Sequence, residues 1–564
     1  MAAVVAVAAC LRLVDLAWAP PGLHQDEAAN AWNAWLLLNT VRDQAGQPWP
    51  LFYFRALGEN RTPLYLYWLV PFQVLGGLNT WTTRLPNVVG GVLCVLLIAY
   101  IGARWLGRGV GLAAAAILTI GPWAIHQSRW GHEGAATLLF TLIPIAAWTW
   151  AALPGFRREE ARPRAARALV AGLLTGICCY GYPSLRIFLP AFFALAVLAA
   201  VRDWWSALRL RSGRLAGAAL LAGVLVTFGP LAWRHVVDPG INKRGVHTWV
   251  WADDDPLPAR VAGVAARYPG HFGPDYLFLR GDRHHLMRGA AGGQLHAYEA
   301  PLLLCGLIVL VVWLRTAPSA VLLLWLVAYP VGDMLNDHPM LDRAISMHGL
   351  RSMPGLGALA LVAGLGLATV LDWLRSRQRW LSVAVGAAVL AVAAASSGRF
   401  MMRMLTGFYD TPMMYHGYHV DLVAACAWLR PELARQDEHE VLGVFFTMSP
   451  MPDGPAFNQP YITTAVALGH NPHAWHREPI DRVLKDPWDV YYSYGRIHFM
   501  YPGHYERKLA DLVESGRPGR IVLVLRPGEE PQFMRSALPP HLEITRPDGV
   551  PALRIYAFRV DPVK

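Results

Sequence analysis

The chain has 564 residues, of which 54% are hydrophobic and only 16% are charged. Soluble globular proteins carry about a quarter charged residues, so this composition excludes an ordinary soluble enzyme. The net charge is +11, but the basic residues cluster in short loops between apolar runs. That distribution indicates membrane topology, and it excludes nucleic acid as the expected partner.

The first apolar segment, residues 2–18, could be mistaken for a cleaved signal peptide. It lacks a basic beginning, and it carries Arg12 and Asp15 within its apolar part. We therefore interpret it as a retained helix that is anchored in the bilayer.

About 11 transmembrane helices are predicted from apolar runs of membrane-spanning composition. The positive-inside rule places the arginine-rich loops between them in the cytoplasm, with the N-terminus inside and the C-terminus outside. The predicted spans are residues 2–18, 85–103, 110–125, 135–153, 168–182, 185–201, 215–233, 300–314, 320–332, 353–374 and 380–396.

One further apolar run, residues 63–78, does not fit this alternation. It is short and aromatic, and it is interrupted by Pro71 and by Gly76-Gly77. If it crossed the membrane, every later basic loop would lie outside. We therefore predict a juxtamembrane or re-entrant helix at the outer interface.

This topology places most long or acidic loops on the external face. These loops are residues 19–84 with Asp26 and Glu27, residues 126–134 with Arg129, His132 and Glu133, residues 234–299, and residues 333–352. Polar groups from distant parts of the chain are thus expected to converge on one outer surface.

After the last predicted span, charged residues and prolines become more frequent. Residues 1–400 are therefore assigned to a membrane domain, and residues 401–564 to a soluble extracytoplasmic α/β domain. Strands are predicted at 441–447, 521–526, 542–545 and 553–560, and helices at 421–429 and 507–515. The domain contains neither a Gly-x-Gly-x-x-Gly segment after a strand nor a P-loop, so no nucleotide site is predicted.

A set of motifs follows in order along the first quarter of the chain. They are Asp26-Glu27, Asn60-Arg61-Thr62-Pro63-Leu64-Tyr65, Arg84-Leu85-Pro86 and Ser128-Arg129-Trp130-Gly131-His132-Glu133. In order and spacing they resemble the GT-C glycosyltransferases of the protein O-mannosyltransferase and aminoarabinose-transferase type, a family-39-like group. The resemblance covers residues 23–150 well and the later membrane part by architecture alone. Thr62 stands where relatives have a first Pro, and His132-Glu133 stands where many have Asp.

The resemblance implies a multi-pass protein of a bacterial-type inner membrane that transfers sugar from a polyprenyl-phosphate donor. The acceptor would be a hydroxyl of a protein, lipid or glycan on the outer face. By position, Asp26 resembles the general base of the family, with Glu27 orienting Asp26 or the acceptor. Such a reaction needs a carboxylate near the acceptor hydroxyl and positive charge near the leaving phosphate.

Each candidate residue also has a purely structural interpretation. Asp26 and Glu27 could form a solvated helix start, and Arg61 could bind phosphate or lie at the interface with its stem in the lipid. The further substrate-binding candidates are Arg129, His132, Glu133, Tyr182, Arg186 and Arg343. For Arg129, His132 and Glu133 the alternative is an ordinary loop between spans. For Tyr182 and Arg186 it is packing and helix capping, and for Arg343 it is a polar external loop that binds no substrate.

The alternative function is a multi-span transporter or a lipid flippase. Transporters place ionisable residues near the middle of the membrane and often contain repeated halves. Here the predicted spans are nearly free of charge, the acids gather at one face, and no duplicated halves are visible. The enzyme is therefore favoured.

No cofactor is indicated with certainty by the sequence. Five of the six cysteines lie in apolar runs, and their spacing is not that of a metal site or of a disulfide framework. The need for a divalent metal ion stays open at this stage.

Overall fold

The computed structural model describes residues 1–156, 164–242, 249–251, 254–284, 286, 289–290, 292–312, 316–336, 347–435, 440–449, 459–478, 480–485, 488–501, 509, 512, 514, 517–530 and 539–560. The chain divides into two compact units. The helical unit contains Met1–Leu16, Thr62–Tyr65 and Arg84–Leu405, and the mixed unit contains Ala17–Arg61, Leu66–Thr83 and Thr406–Lys564.

Helices make up most of the described chain. In order they are α1 (Ala2–Leu13), α2 (Gln25–Thr40), α3 (Leu64–Gly76), α4 (Thr80–Trp105), α5 (Arg108–Ile120), α6 (Pro122–Ser128), α7 (Thr137–Trp150), α8 (Ala165–Cys178), α9 (Leu185–Ala199), α10 (Val201–Arg209), α11 (Arg211–Val237), α12 (Leu257–Arg267), α13 (Glu299–Val312), α14 (Ala317–Ala328), α15 (Pro354–Arg377), α16 (Arg379–Leu405), α17 (Pro412–Gly417), α18 (Val420–Leu433), α19 (Pro460–Leu468) and α20 (Pro472–Trp475).

Several of these helices are built to lie in a bilayer. Within the described residues, α4, α11, α15 and α16 are long and apolar enough to cross a membrane, and the bent pairs α5–α6 and α9–α10 raise the number to six if each pair is one span. The chain is thus a multi-pass membrane protein. Each of the eleven predicted runs overlaps at least one helix, and the run at 110–125 is divided between α5 and α6. The count of eleven crossings stays a prediction. The run at 63–78 forms helix α3 with Pro71 inside it, and its interfacial position also stays a prediction.

Small residues allow the apolar helices to approach closely. A Cβ atom added to Gly306 of α13 would lie 1.8 Å from the Val362 carbonyl oxygen, and one added to Gly366 of α15 would lie 2.0 Å from the Leu302 carbonyl oxygen. Close backbone approach at small residues is the usual basis of helix association in membranes, because the hydrophobic effect does not drive apolar helices together in lipid. These glycines therefore fix the contact between α13 and α15.

The mixed unit contains a seven-stranded sheet in the order β4-β5-β6-β3-β7-β9-β8. The strands are β3 (Val441–Thr447), β4 (Ile480–Lys485), β5 (Trp488–Tyr494), β6 (Ile497–Met500), β7 (Gly519–Leu525), β8 (Leu542–Thr545) and β9 (Pro551–Val560). Strand β3 pairs in parallel with β6 and β7, and the other neighbours are antiparallel. The core on one face includes Phe445, Leu523 and Tyr556.

The four predicted strands and the predicted helix at 421–429 are confirmed within a few residues of their expected ends. Strands β4, β5 and β6 were not predicted. The helix predicted at 507–515 falls mostly outside the described residues.

The mixed unit also contains residues 17–61, which precede helix α3. Helix α2 packs against α19 and α20, and the hairpin of β1 (Phe54–Ala56) and β2 (Glu59–Arg61) follows it. Residues 17–61 thus form one compact unit with the C-terminal residues, a grouping that the sequence-based division at residue 400 does not contain.

Candidate active site

The two neighbouring acids of the first motif lie in the first turn of α2. His24 is the N-cap of this helix, and its Nδ1 accepts a hydrogen bond from the Asp26 backbone N–H at 3.1 Å. The Glu27 carboxylate accepts from the His24 backbone N–H at 3.1 Å. These reciprocal bonds form a capping box, which satisfies N–H groups that a helix start leaves unpaired. Glu27 is fully buried, so its carboxylate serves the helix start.

Asp26 forms an ion pair with Arg61. The Asp26 side chain is 13% exposed and the Arg61 side chain is 3% exposed, and the other Asp26 oxygen lies 3.6 Å from His24 Nδ1. A charge-assisted bond of this kind is stronger than a neutral one and fixes the direction of the carboxylate. The residues predicted as base and as phosphate ligand therefore contact each other.

A tight two-residue turn precedes strand β2, which carries Arg61. Leu57 and Gly58 both have positive φ, 54° and 78°, in the two-residue loop between β1 and β2. A two-residue hairpin loop with two positive φ angles matches the twist of paired strands. This tight turn brings Arg61 opposite Phe54 and places its guanidinium on Asp26.

A buried carboxylate connects α2 with the hairpin. Asp43 accepts from the backbone N–H groups of Gln47 at 2.8 Å and Arg55 at 3.1 Å. Burial raises the pKa of Asp43, and these N–H groups act against the rise. Within the same loop, Gln44 N–H donates to Asn33 Oδ1 at 2.7 Å. The strands that carry Arg61 are thereby tied to the helix that carries Asp26.

In the helical unit, Arg129 contacts the end of helix α1. Its guanidinium donates to the Arg12 carbonyl at 3.1 Å and reaches the Leu11 carbonyl at 3.4 Å, and the side chain is fully buried. The last carbonyls of a helix are unpaired within it and carry partial negative charge. These contacts correspond to a structural role for Arg129 at the end of α1.

A second polar cluster in the helical unit contains His132, Glu133 and Tyr182. The His132 ring lies 6.1 Å from the Tyr182 ring and 4.6 Å from the Trp130 ring, between centroids. His132 Nδ1 accepts from Gly134 N–H at 2.8 Å and lies 3.6 Å from the Glu133 carboxylate. All of these side chains are buried, so a carboxylate, an imidazole and two aromatic rings share one polar site.

Asn87 supports this second cluster and was missed by the sequence analysis. Its side-chain amide donates to the Trp130 carbonyl at 2.6 Å and to the His132 carbonyl at 3.0 Å, and it lies 3.0 Å from the Tyr65 hydroxyl. The only local signal was its position directly after the Arg84-Leu85-Pro86 motif.

Of the remaining candidates, only Arg186 lies within the described residues, and it contacts a different side chain. Arg186 lies 3.2 Å from His235 Nε2, and Arg343 lies outside the described residues. Among the residues that the structure describes, no group of three or more His, Cys, Asp or Glu side chains is arranged to hold a metal ion. We therefore assign no metal ligand and no step to a metal ion.

Comparison with known proteins places this architecture in a family context. The family model described as dolichyl-phosphate-mannose-protein mannosyltransferase matches residues 51–236. The match includes Arg61, Arg129 and the His132 cluster, and Asp26 precedes it. A comparison with curated protein sequences gives no significant match.

Solved structures of ArnT from Cupriavidus metallidurans are similar over almost the whole chain. The structure bound to undecaprenyl phosphate is 16% identical, with 99% of this chain and 97% of that chain covered and a TM-score of 0.55. The apo structure is 15% identical, with the same coverage and TM-score. The resemblance of this chain to the GT-C glycosyltransferases of the protein O-mannosyltransferase and aminoarabinose-transferase group is thus confirmed.

Proposed function

We propose that this protein is an integral-membrane glycosyltransferase that moves a sugar from a polyprenyl-phosphate donor to a hydroxyl of a protein, lipid or glycan. The proposed site and the C-terminal domain face the outside of a bacterial-type inner membrane. The family model names a dolichyl-phosphate-mannose enzyme, and the similar ArnT structure holds undecaprenyl phosphate. The observation that carries the proposal is the Asp26–Arg61 pair.

The proposed chemistry is an inverting displacement. The acceptor oxygen attacks the anomeric carbon, the bond from that carbon to the phosphate oxygen breaks, and the bonding electrons leave with the lipid phosphate. Asp26 accepts the proton of the acceptor hydroxyl as the new bond forms, which is the role of a general base. Arg61 holds the Asp26 carboxylate in direction and supplies positive charge close to the departing phosphate.

The cluster around His132 has a binding role in this proposal. Aromatic rings and a buried carboxylate suit a sugar, whose C–H face packs on rings and whose hydroxyls donate to carboxylates. Tyr182, Trp130 and Glu133 supply these groups together. We assign this cluster to donor or acceptor recognition and the base to Asp26.

The test compares cells that lack the protein with cells that express the wild type or Asp26→Asn at equal level. Mass spectrometry of lipid-linked sugars and of glycans should find one missing glycan and an accumulated lipid-linked sugar in the deletion strain. Asp26→Asn should leave that phenotype uncorrected, while the wild type corrects it. Full correction by Asp26→Asn, or unchanged lipids and glycans in the deletion strain, would contradict the proposal.

A further inference from the structure

We infer that the C-terminal part of the mixed unit positions the catalytic base by holding the start and the middle of helix α2 and the loop that follows it. This inference rests on the proposed function, because it concerns the direction of Asp26. We call Tyr418, Gln459 and Trp475 the clamp residues. Each of them contacts α2 or the residues next to it.

The first contact holds the chain just before α2. Leu23 N–H donates to the Tyr418 carbonyl at 2.7 Å, and the buried Tyr418 ring meets the His24 ring edge to face at 6.0 Å. Gly22 has φ of +65°, and a Cβ atom added there would lie 2.2 Å from the Tyr418 carbonyl oxygen. Only glycine fits this approach, so Tyr418 sets the path of the residues that lead into the helix cap.

The second contact lies next to the base in sequence. Gln25 begins α2, and its Oε1 accepts from the Gln459 backbone N–H at 3.1 Å, although the two residues are 434 positions apart. Gln459 is buried and directly precedes α19, which packs on α2. The residue before Asp26 is thereby bonded to the C-terminal part of the unit.

The third contact holds the middle of α2 and the loop that follows it. The buried Trp32 ring packs edge to face on Trp475 at 5.2 Å between centroids. Trp475 Nε1 donates to the Gln44 carbonyl at 3.0 Å, and Gln44 N–H donates in turn to Asn33 of α2. The helix is therefore held at its start, in its middle and through the loop that follows it, and it cannot rotate or slide without breaking these contacts.

A general base acts only within hydrogen-bond reach of the proton that it accepts. A shift of the base by about 1 Å can lower the rate about a hundredfold. The clamp residues thus act through Asp26 and are positioning residues. They should affect turnover far more than donor affinity.

The experiment uses the full-length protein in lipid nanodiscs and three variants on the α2 side of the contacts. Gln25→Met keeps the side-chain length and removes the acceptor, so it should lower kcat about three- to tenfold with the donor KM nearly unchanged. The Tm should fall slightly, because the buried Gln459 N–H loses this bond. Gln25→Glu keeps an acceptor oxygen and should retain most of the wild-type kcat. Gly22→Ala should lower kcat by about a hundredfold.

The matched control is Arg554→Ala, which removes ion pairs to Glu530 and Glu543 on the β8–β9 side of the sheet. It should lower the Tm and leave kcat unchanged. Wild-type kcat in Gln25→Met, or equal losses in Gln25→Met and Gln25→Glu, would overturn the inference. If Gly22→Ala does not fold, the Gln25 pair decides alone. Activity in Asp26→Asn would instead refute the proposed function itself.

Discussion

Replacement of Asp26 by Asn separates the chemical role of this residue from its structural role. The amide keeps the size of the side chain and an oxygen that can accept from Arg61, but it removes the negative charge and the base. General-base catalysis contributes about a hundred- to ten-thousandfold, which is about 3 to 5 kcal/mol of activation free energy. Asp26→Asn should lower turnover by that factor.

The same substitution also affects stability, since it removes the carboxylate that pairs with a buried guanidinium. Exposed ion pairs contribute about 0 to 1 kcal/mol, and loss of one partner of a fully buried pair costs about 3 to 5 kcal/mol. Asp26 is 13% exposed and Arg61 is 3% exposed, so this pair lies between the two cases. We expect a loss of about 2 kcal/mol in the free energy of unfolding.

A double variant distinguishes the two effects. Asp26→Asn combined with Arg61→Gln leaves no unbalanced charge, so its Tm should return toward the wild-type value, whereas its turnover should stay at the level of Asp26→Asn or below. The assay is single-turnover transfer from a polyprenyl-phosphate sugar by the purified full-length protein, with the Tm of each variant measured in parallel.

Two results would refute this reasoning. Near-normal transfer in Asp26→Asn, together with complete loss in Glu133→Gln, would move the base to the segment that contains His132. Recovery of turnover in proportion to the recovered Tm in the double variant would show that Asp26 has a structural role only.

Glu27→Gln should cost less than tenfold in turnover, because the amide oxygen still accepts the N-cap N–H of α2; a larger loss would assign chemistry to Glu27. Burial raises the pKa of Asp282 from 3.8 to about 7, so its contribution to stability is fully present below about pH 4 and is lost as the pH rises through 7; the Tm should fall between about pH 4 and 7 and then level off, and Asp282→Asn should flatten this dependence. Arg129→Ala should destabilise the protein by about 1 to 3 kcal/mol by leaving helix carbonyls unpaired. A higher donor KM at unchanged Tm would instead indicate that Arg129 binds the donor phosphate. Cysteine-accessibility labelling should find residues 157–167 inside and residues 234–299 outside, and labelling of both from one side would contradict the predicted topology.

The positions of the apolar helices were predictable because apolar length and loop charge are local signals. Their interruptions were harder to predict. The run at 110–125 was expected to be one span, but the structure divides it at Gly121-Pro122 into α5 and α6, which are bent by 59°. Proline has no N–H and ends the hydrogen-bond ladder of the preceding helix, and the bend itself depends on tertiary packing.

The missed strands show a different limit. Strand β4 has the sequence Ile-Asp-Arg-Val-Leu-Lys and β5 has the sequence Trp-Asp-Val-Tyr-Tyr-Ser-Tyr. Charged residues interrupt both runs, so neither of them shows the short apolar β-branched pattern that identified β3 and β7. Their pairing is with neighbours in the sheet, and strand preference depends strongly on such neighbours.

The candidate residues were predictable by type and the contacts among them were not. Asp26 and Arg61 each stood in a motif, but their pairing joins a helix to a hairpin 35 residues later. Asn87 had only its position after the Arg84-Leu85-Pro86 motif as a signal, and Tyr418 and Gln459 had none, because each of the three contacts residues far away in the chain. Such contacts exist only once the tertiary structure has formed.

Asp26 and Glu27 are neighbours in sequence, yet the helix assigns them to different tasks. Successive residues on an α-helix are rotated by about 100° about its axis, so the two carboxylates cannot face the same side. Glu27 faces inward, is fully buried and closes the cap through the His24 backbone N–H. Asp26 is partly exposed and faces Arg61. Between these two acids, the partly exposed Asp26 is therefore the better candidate for the proposed base.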